Sequence, residues 1–337
     1  MTESGFKSAF SLPALRSDAL SVTNGANLGD ALSFADELVP DDIYQIAPNA
    51  KPTRLSLVAE TGGSYRIAPS TAAGMPGATV HLDCCLTLMS PDGQTTELLV
   101  MVEVDSDGDV AEIYGLPLDQ LEPKVDYALV TIDRDSARAK LAQIACVSFT
   151  ADTQITMASG EQRPIEQLQV GDKVLTRDDG PQAVRWIGRT TVRAVGEFAP
   201  ILIKSGTLHN DRDLVVSPEH RLFIYQRSDA LGAGRSEVLV RARHLVNGTT
   251  VTRKAGGFVD YFQILFDSHQ IIYAEGIAAE TLLVDTRTRP ALPQDLAEKL
   301  ATALPGHENR PHMQFEVGET LLDRPDAADL QRRASTR

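Results

Sequence analysis

The sequence predicts a mainly β protein built as two globular units, and three observations lead there. The 337 residues suit two ordinary domains of roughly 100–200 residues each, and a hydrophobic content of 42% is enough to fill their cores. From Thr53 onward the chain is a succession of short runs rich in β-branched and aromatic residues, separated by turn signals. Charge then divides the chain: residues 1–147 carry 9 Lys/Arg against 21 Asp/Glu, net −12, whereas residues 148–337 carry 23 against 25, net −2.

Composition also narrows the function classes. An acidic surface repels phosphate backbones and no nucleic-acid-reading motif is present, so DNA or RNA is not an expected partner. No window approaches the roughly 18 consecutive apolar residues of a membrane span. The start MTESGFKSAFSLPAL lacks the charged region and apolar core of a Sec signal peptide, so a cytoplasmic location, or export without such a signal, is expected. Cys84, Cys85 and Cys146 are too few and wrongly spaced for a disulfide framework or a four-ligand zinc site, which fits a reducing compartment. No cofactor is expected.

Taken in order, residues 1–50 are rich in Ser, Ala, Asp and Asn and include turn-prone stretches such as Thr23-Asn24-Gly25 and Pro40-Asp41-Asp42; they read as a loosely ordered lead-in. Residues 51–147 form an acidic β-rich domain. Its runs RLSLVAE, SYRIA, ATVHLDCCLTLM, TELLVMVEV, DVAEIYGLPL and DYALVTID predict a small antiparallel sandwich or barrel. Cys84 and Cys85 should point to opposite strand faces, at least one of them an ordinary buried thiol. Asp105, Asp107 and Asp109 resemble the start of a calcium loop, but Tyr114 stands where an EF-hand requires Glu, and Asp107-Gly108 between two β runs reads as a hairpin turn. Residues 133–147 predict a connecting helix or a strand approach. Dense β signals fill 148–288; His81, His209 and His244 read as structural residues, and Trp186 as a core residue of a strand. The segment 289–337 predicts one helix, LPQDLAEKLATAL, closed by Pro305-Gly306, followed by a flexible tail.

Three blocks within 148–288 carry a resemblance. The first is Ser148-Phe149-Thr150-Ala151-Asp152-Thr153-Gln154-Ile155, followed by Gly160-Glu161, Pro164-Ile165-Glu166, Leu168 and Val170-Gly171-Asp172-Lys173-Val174-Leu175. The second is Asp213-Leu214-Val215-Val216-Ser217-Pro218-Glu219-His220-Arg221-Leu222-Phe223, and the third runs from Asp260 through Gln263, Asp267 and His269 to Gly276. Together they resemble the hedgehog/intein, or Hint, family of autoprocessing domains, and the detailed pattern is similar to bacterial Hint domains on the C-terminal side of larger proteins. The resemblance implies an all-β horseshoe domain whose substrate is its own chain.

Carried onto this sequence, the resemblance makes Ser148 the opening nucleophile, Val147-Ser148 the scissile bond, Ser217 the hydroxyl of the "T-x-x-H" element and His220 the donor of a proton to the departing nitrogen. His269 is a further candidate, balanced by a reading as a core histidine. Gln263 occupies the place where many inteins carry Asp. After Gly276 the chain reads Ile277-Ala278-Ala279-Glu280-Thr281 with no His-Asn pair, so full splicing, which needs a terminal Asn to cyclise, is not expected. The expected reaction is an N-to-O acyl shift, opened by water or a small nucleophile acting on the N-terminal segment. A serine hydroxyl is far less acidic than a thiol and needs more assistance, so the alternative is a non-catalytic Hint-fold binding or structural module.

Overall fold

Period-two alternation of apolar and polar side chains shapes the N-terminal unit, Met1–Gln143. The computed structural model describes residues 9–60, 63–146, 148–225, 235–284, 288, 315 and 317 of the chain. In the N-terminal unit the strands are β1 (Phe10–Arg16), β2 (Leu20–Asn24), β3 (Ile43–Ile46), β4 (Thr53–Ala59), β5 (Tyr65–Ile67), β6 (Thr79–Met89), β7 (Thr95–Val104), β8 (Val110–Pro117) and β9 (Tyr127–Asp133). They hydrogen-bond in the order β2-β3-β9-β6-β5-β4-β1-β8-β7, and β7 pairs again with β6. Six strands thus close on themselves as a barrel, which removes their open edges. Leu15, Leu86, Leu98, Val100 and Leu129 fill the core.

The expected loosely ordered lead-in is corrected by its described part, residues 9–50. β1 is flanked on both sides, by β4 and by β8, and the scattered leucines that looked incidental, Leu12, Leu15, Leu20, Leu32 and Leu38, are buried. Polar residues lengthen the turns without removing the alternation in the strands. The Asp42 carboxylate, itself buried, staples one such turn by accepting the Ala26 N–H at 2.6 Å. Gly25 sits at φ +130°, where a Cβ would fall 2.0 Å from Asp42 Oδ1, so only glycine fits.

Cys84 and Cys85 are both buried, although they are adjacent. They still point to opposite faces, as their consecutive partners Val100 and Leu99 on β7 show, and both faces are covered here: Cys84 lies in the core of the unit, and Cys85 lies on the side of Glu97 and Lys140. Burial pushes the Cys85 thiol up to about 12, far from a reactive thiolate. At the β7–β8 hairpin Asp105 Oδ1 accepts the N–H groups of Asp107 and Asp109 at 2.9 and 3.0 Å. The same device precedes the helix α1 (Ala137–Ala145), where Asp133 Oδ1 accepts from Asp135 N and Ser136 N at 2.9 and 3.1 Å.

The C-terminal unit, Ile144–Arg337, contains β10 (Phe149–Thr150), β11 (Gln154–Thr156), β12 (Gln162–Pro164), β13 (Lys173–Leu175), β14 (Pro181–Ala183), β15 (Trp186–Arg193), β16 (Ile201–Ile203), β17 (Leu214–Val216), β18 (Arg221–Tyr225), β19 (Glu237–Arg241), β20 (Val251–Arg253), β21 (Phe258–Leu265), β22 (Ile271–Ala274) and β23 (Ile277–Glu280). Two six-stranded sheets form, in the orders β15-β21-β10-β17-β16-β20 and β12-β11-β22-β23-β18-β19, with β13-β14 as a separate pair. Phe149, Ile155, Val216, Ile264 and Ile272 share one buried core. Trp186 is half-buried, its indole folded back across Gly188 so closely that a Cβ there would lie 2.0 Å from the ring. Gly188 pairs with Gln263 on β21. The expected helix LPQDLAEKLATAL lies outside the described residues, as does most of the tail, but Phe315 and Val317 are described, and Val317 is buried in the core. No helix among the described residues is long and apolar enough to cross a membrane.

Asp42→Ala should destabilise the N-terminal unit by about 1–3 kcal/mol, the scale of a lost hydrogen bond to a charged group. Urea unfolding followed by far-UV circular dichroism reads this; an unchanged midpoint removes the staple role.

Candidate active site

The site is assembled around Ser148, whose position is set by the shortest strand of its sheet. β10 has only two residues, yet it is paired on both sides: Phe149 lies opposite Val216 of β17 and Phe262 of β21. Alternation turns the Phe149 ring into the core and leaves Ser148 and Thr150 on the other face. There the polar atoms of Ser148 have partners. Its N–H donates to Ser217 Oγ at 3.0 Å. Its carbonyl accepts from Ser217 N at 2.9 Å and from His220 Nδ1 at 2.9 Å. Its Oγ accepts from Gln263 Nε2 at 3.2 Å.

Ser217 and His220 reach the same residue because both flank one tight turn. β17 ends at Val216, and His220 N donates to Ser217 O at 3.0 Å, so hydroxyl and imidazole return to one side. Ser217 Oγ also donates to the Cys146 carbonyl at 3.3 Å, bridging the main chain two residues before Ser148. Since a carbonyl can only accept, the bond to Ser148 assigns the proton of a neutral His220 to Nδ1. The ring is fully buried and meets Phe149 edge-on with centroids 4.3 Å apart. Nε2 has no hydrogen bond of good geometry among the described residues.

Burial pushes the His220 pKa down to about 4, against the opposing pull of the Ser148 carbonyl and the Glu280 carboxylate. His220 is therefore a neutral imidazole near pH 7. Glu280 is buried too; burial works to raise its pKa, but Arg221, with Nη1 to Oε2 at 3.0 Å, and His269 hold it below the usual carboxylate range. The structure thus brings Ser148, Ser217 and His220 together and places His269 on Glu280, Nε2 to Oε1 3.6 Å, rather than on Ser148. Val147 lies outside the described residues.

Three residues that bear on the site carried no assigned role in the sequence reading. Gln263 stood out only as a departure from the family pattern. Arg221 and Glu280 had a visible signal: each is a lone charge inside an apolar run, HRLFIY and GIAAETLLV, and a charge is buried only when it is paired. A groove of about 450 Å³, lined in part by Thr150, Asp152, Val215, Lys254 and Phe258, begins two residues past Ser148 and does not include it.

A short all-β unit that pins a buried serine by its own amide nitrogen, carbonyl and hydroxyl defines the class: a module organised around one of its own peptide units. Residues 147–286 match the family model described as "Hint domain", and this part of the chain is a Hint domain. Comparison with curated proteins gives no match. Among solved structures, the Ssp DnaB mini-intein variant M86 is similar at 13% identity, covering 41% of this chain and 97% of its own, with a TM-score of 0.29. The gp41-1 intein is similar at 14% identity, covering 40% and 97%, with a TM-score of 0.25.

A pH dependence follows from His220. Its folded pKa lies below the ordinary 6.5, so between about pH 6.5 and 4 the unfolded chain binds a proton that the folded chain refuses. Stability is complete above that window and falls with pH through it, by up to about 3 kcal/mol. Urea unfolding read by the fluorescence of Trp186, the chain's single tryptophan, should show this loss, and His220→Asn should remove its His220 share. An equal loss in the variant would mean that His220 is not the origin.

Proposed function

We propose that the Hint domain processes its own chain at Val147-Ser148 by an N-to-O acyl shift, followed by attack of water or a small nucleophile, without splicing. The observation that carries the reading is Ser217 Oγ at 3.0 Å from Ser148 N, the atom that must leave. In the shift a bond forms between Ser148 Oγ and the Val147 carbonyl carbon, the bond from that carbon to Ser148 N breaks, and the proton of Oγ ends on the nitrogen. The second nucleophile then releases the N-terminal segment and returns a proton to Oγ. An ester lies uphill of an amide, so the fold must supply strain and proton transfer.

Roles follow from the bonds. Ser217 accepts the Ser148 N–H and donates to the Cys146 carbonyl, which places its hydroxyl to exchange protons at the leaving nitrogen. His220 was expected to donate to that nitrogen directly; with Nδ1 on the Ser148 carbonyl and a pKa near 4, it is a positioning residue that fixes the peptide unit behind the nucleophile. Gln263 donates to Ser148 Oγ, and an amide has no basic lone pair with which to remove the hydroxyl proton. That last feature favours the second reading, a Hint fold that holds the peptide without cutting it.

Incubation of the full-length protein with hydroxylamine across pH 6–9 separates the readings. Self-processing predicts two fragments meeting between Val147 and Ser148 by intact mass, none from Ser148→Ala, and faster cleavage from Ser148→Cys, whose thiol is more acidic. Persistence of the full-length chain in both the parent and a folded Ser148→Cys variant selects the non-catalytic reading.

In the Ser148→Cys background, Ser217→Ala should slow cleavage by about 10²-fold or more, the scale of a lost proton-transfer partner, with Ser217→Thr restoring most of it. His220→Ala should both slow cleavage and lower stability by about 1–3 kcal/mol, because it removes one of the two hydrogen bonds to a buried carbonyl and leaves a cavity beside Phe149. Cleavage half-time and thermal midpoint, measured on the same samples, read both; an undiminished rate in Ser217→Ala removes its assigned role.

A further inference from the structure

The second sheet ends at β19, and among the described residues no strand pairs with its outer side. An open strand edge offers unpaired main-chain groups to any segment that reaches it. Here the reaching segment belongs to the chain itself: Val317 N donates to Leu239 O at 3.2 Å. The Val317 side chain is 6% exposed and joins the core of the Hint unit, although residue 317 lies well beyond the matched segment 147–286.

Beside this contact is a shaped receptor for an aromatic ring. Phe223 of β18, Leu239 of β19 and Ile271 of β22 form a small apolar cluster against which Phe315 packs. Phe315 meets Phe223 edge-on with centroids 5.4 Å apart. The Arg177 guanidinium lies over both rings, 4.2 Å from the centroid of Phe223 and 5.6 Å from that of Phe315, and Arg235 lies 5.6 Å from the Phe315 centroid. Arg177 is held in place by Glu237 across the same face. Two cations on one ring, an apolar seat beneath it and a main-chain acceptor beside it amount to recognition of a Phe-x-Val sequence, with the ring read by cation–π contact and the backbone by the sheet edge.

We propose that Arg177, Phe223, Ile271 and the outer edge of β19 form a peptide-binding site on the Hint domain whose resident ligand is this chain's own segment carrying Phe315 and Val317. The proposal is independent of self-cleavage. The site selects a short segment with an aromatic residue followed two positions later by a β-branched one, and the tail keeps it filled in the folded chain.

The test uses the full-length protein and a fluorescein-labelled peptide of residues 312–318, HMQFEVG. Fluorescence anisotropy should show no saturable binding to the parent, saturable binding to the Phe315→Ala/Val317→Asp double variant, and binding weakened about fivefold to tenfold when Arg177→Met is added, as expected for a lost cation–π contact. A peptide in which both anchor residues are Ala should not bind. If the double variant fails to fold, Phe315→Ala alone, which leaves Val317 in the core, is measured in the same way. Equal binding to parent and variant overturns the occupancy, and no binding to a folded variant overturns the site. Hydrogen exchange of the β19 peptide gives a second reading: it should quicken in the variant and slow again on adding HMQFEVG, and an unchanged rate throughout counts against the proposal.

Discussion

The C-terminal unit depends on one constraint, the capture of the peptide unit after Ser148 by a turn seventy residues away. A strand of two residues has too few bonds to persist alone; β10 exists because β17 and β21 pair with it from both sides. Ser217 then contributes its N–H and its hydroxyl, and His220 an imidazole, to one residue. With polar atoms at 2.9–3.2 Å and Ser148 only 3% exposed, little freedom is left in the main chain there. Preorganisation of this kind is what a reaction on the chain's own backbone requires, and it is equally what an inert binding module inherits.

The protonation pattern constrains both of those uses. A fully buried imidazole loses the solvation of its charged form, so His220 stays neutral and serves as a directed N–H donor. The nearby anion, Glu280, is balanced by Arg221, a buried pair whose net contribution to stability is small but whose disruption is expensive. His269 completes that group rather than the nucleophile's surroundings. The chemistry around Ser148 is consequently rich in donors, with the base for its hydroxyl proton the demanding part.

Much of this was legible in the sequence. The Hint blocks, the mainly β character and the meeting of Ser148, Ser217 and His220 all rest on short local patterns in a fixed order, which survive in one sequence. The order in residues 9–50 did not show, because long polar turns diluted the alternation of β1 to β3 and because the Asp42 staple is a contact between distant positions. The burial of both Cys84 and Cys85 was likewise only half legible, since one strand's sequence shows that neighbours face opposite ways and not that both faces are covered. The His220 ring was expected at the Ser148 nitrogen and lies on its carbonyl, because the spacing of Ser217 and His220 says that both reach residue 148 and not which of its atoms the imidazole meets.

The indole of Trp186 lies across Gly188, and Gly188 faces Gln263, which holds the hydroxyl of Ser148. A ring in that place is an optical witness: its emission responds to the polarity and order of the row that ends at the nucleophile, with no second tryptophan to blur the signal. It also makes position 188 a lock on sequence drift. Glycine there is dictated by the ring above it, so the pair can change only together, and the strand that backs Gln263 is less free to vary than its exposed flank suggests.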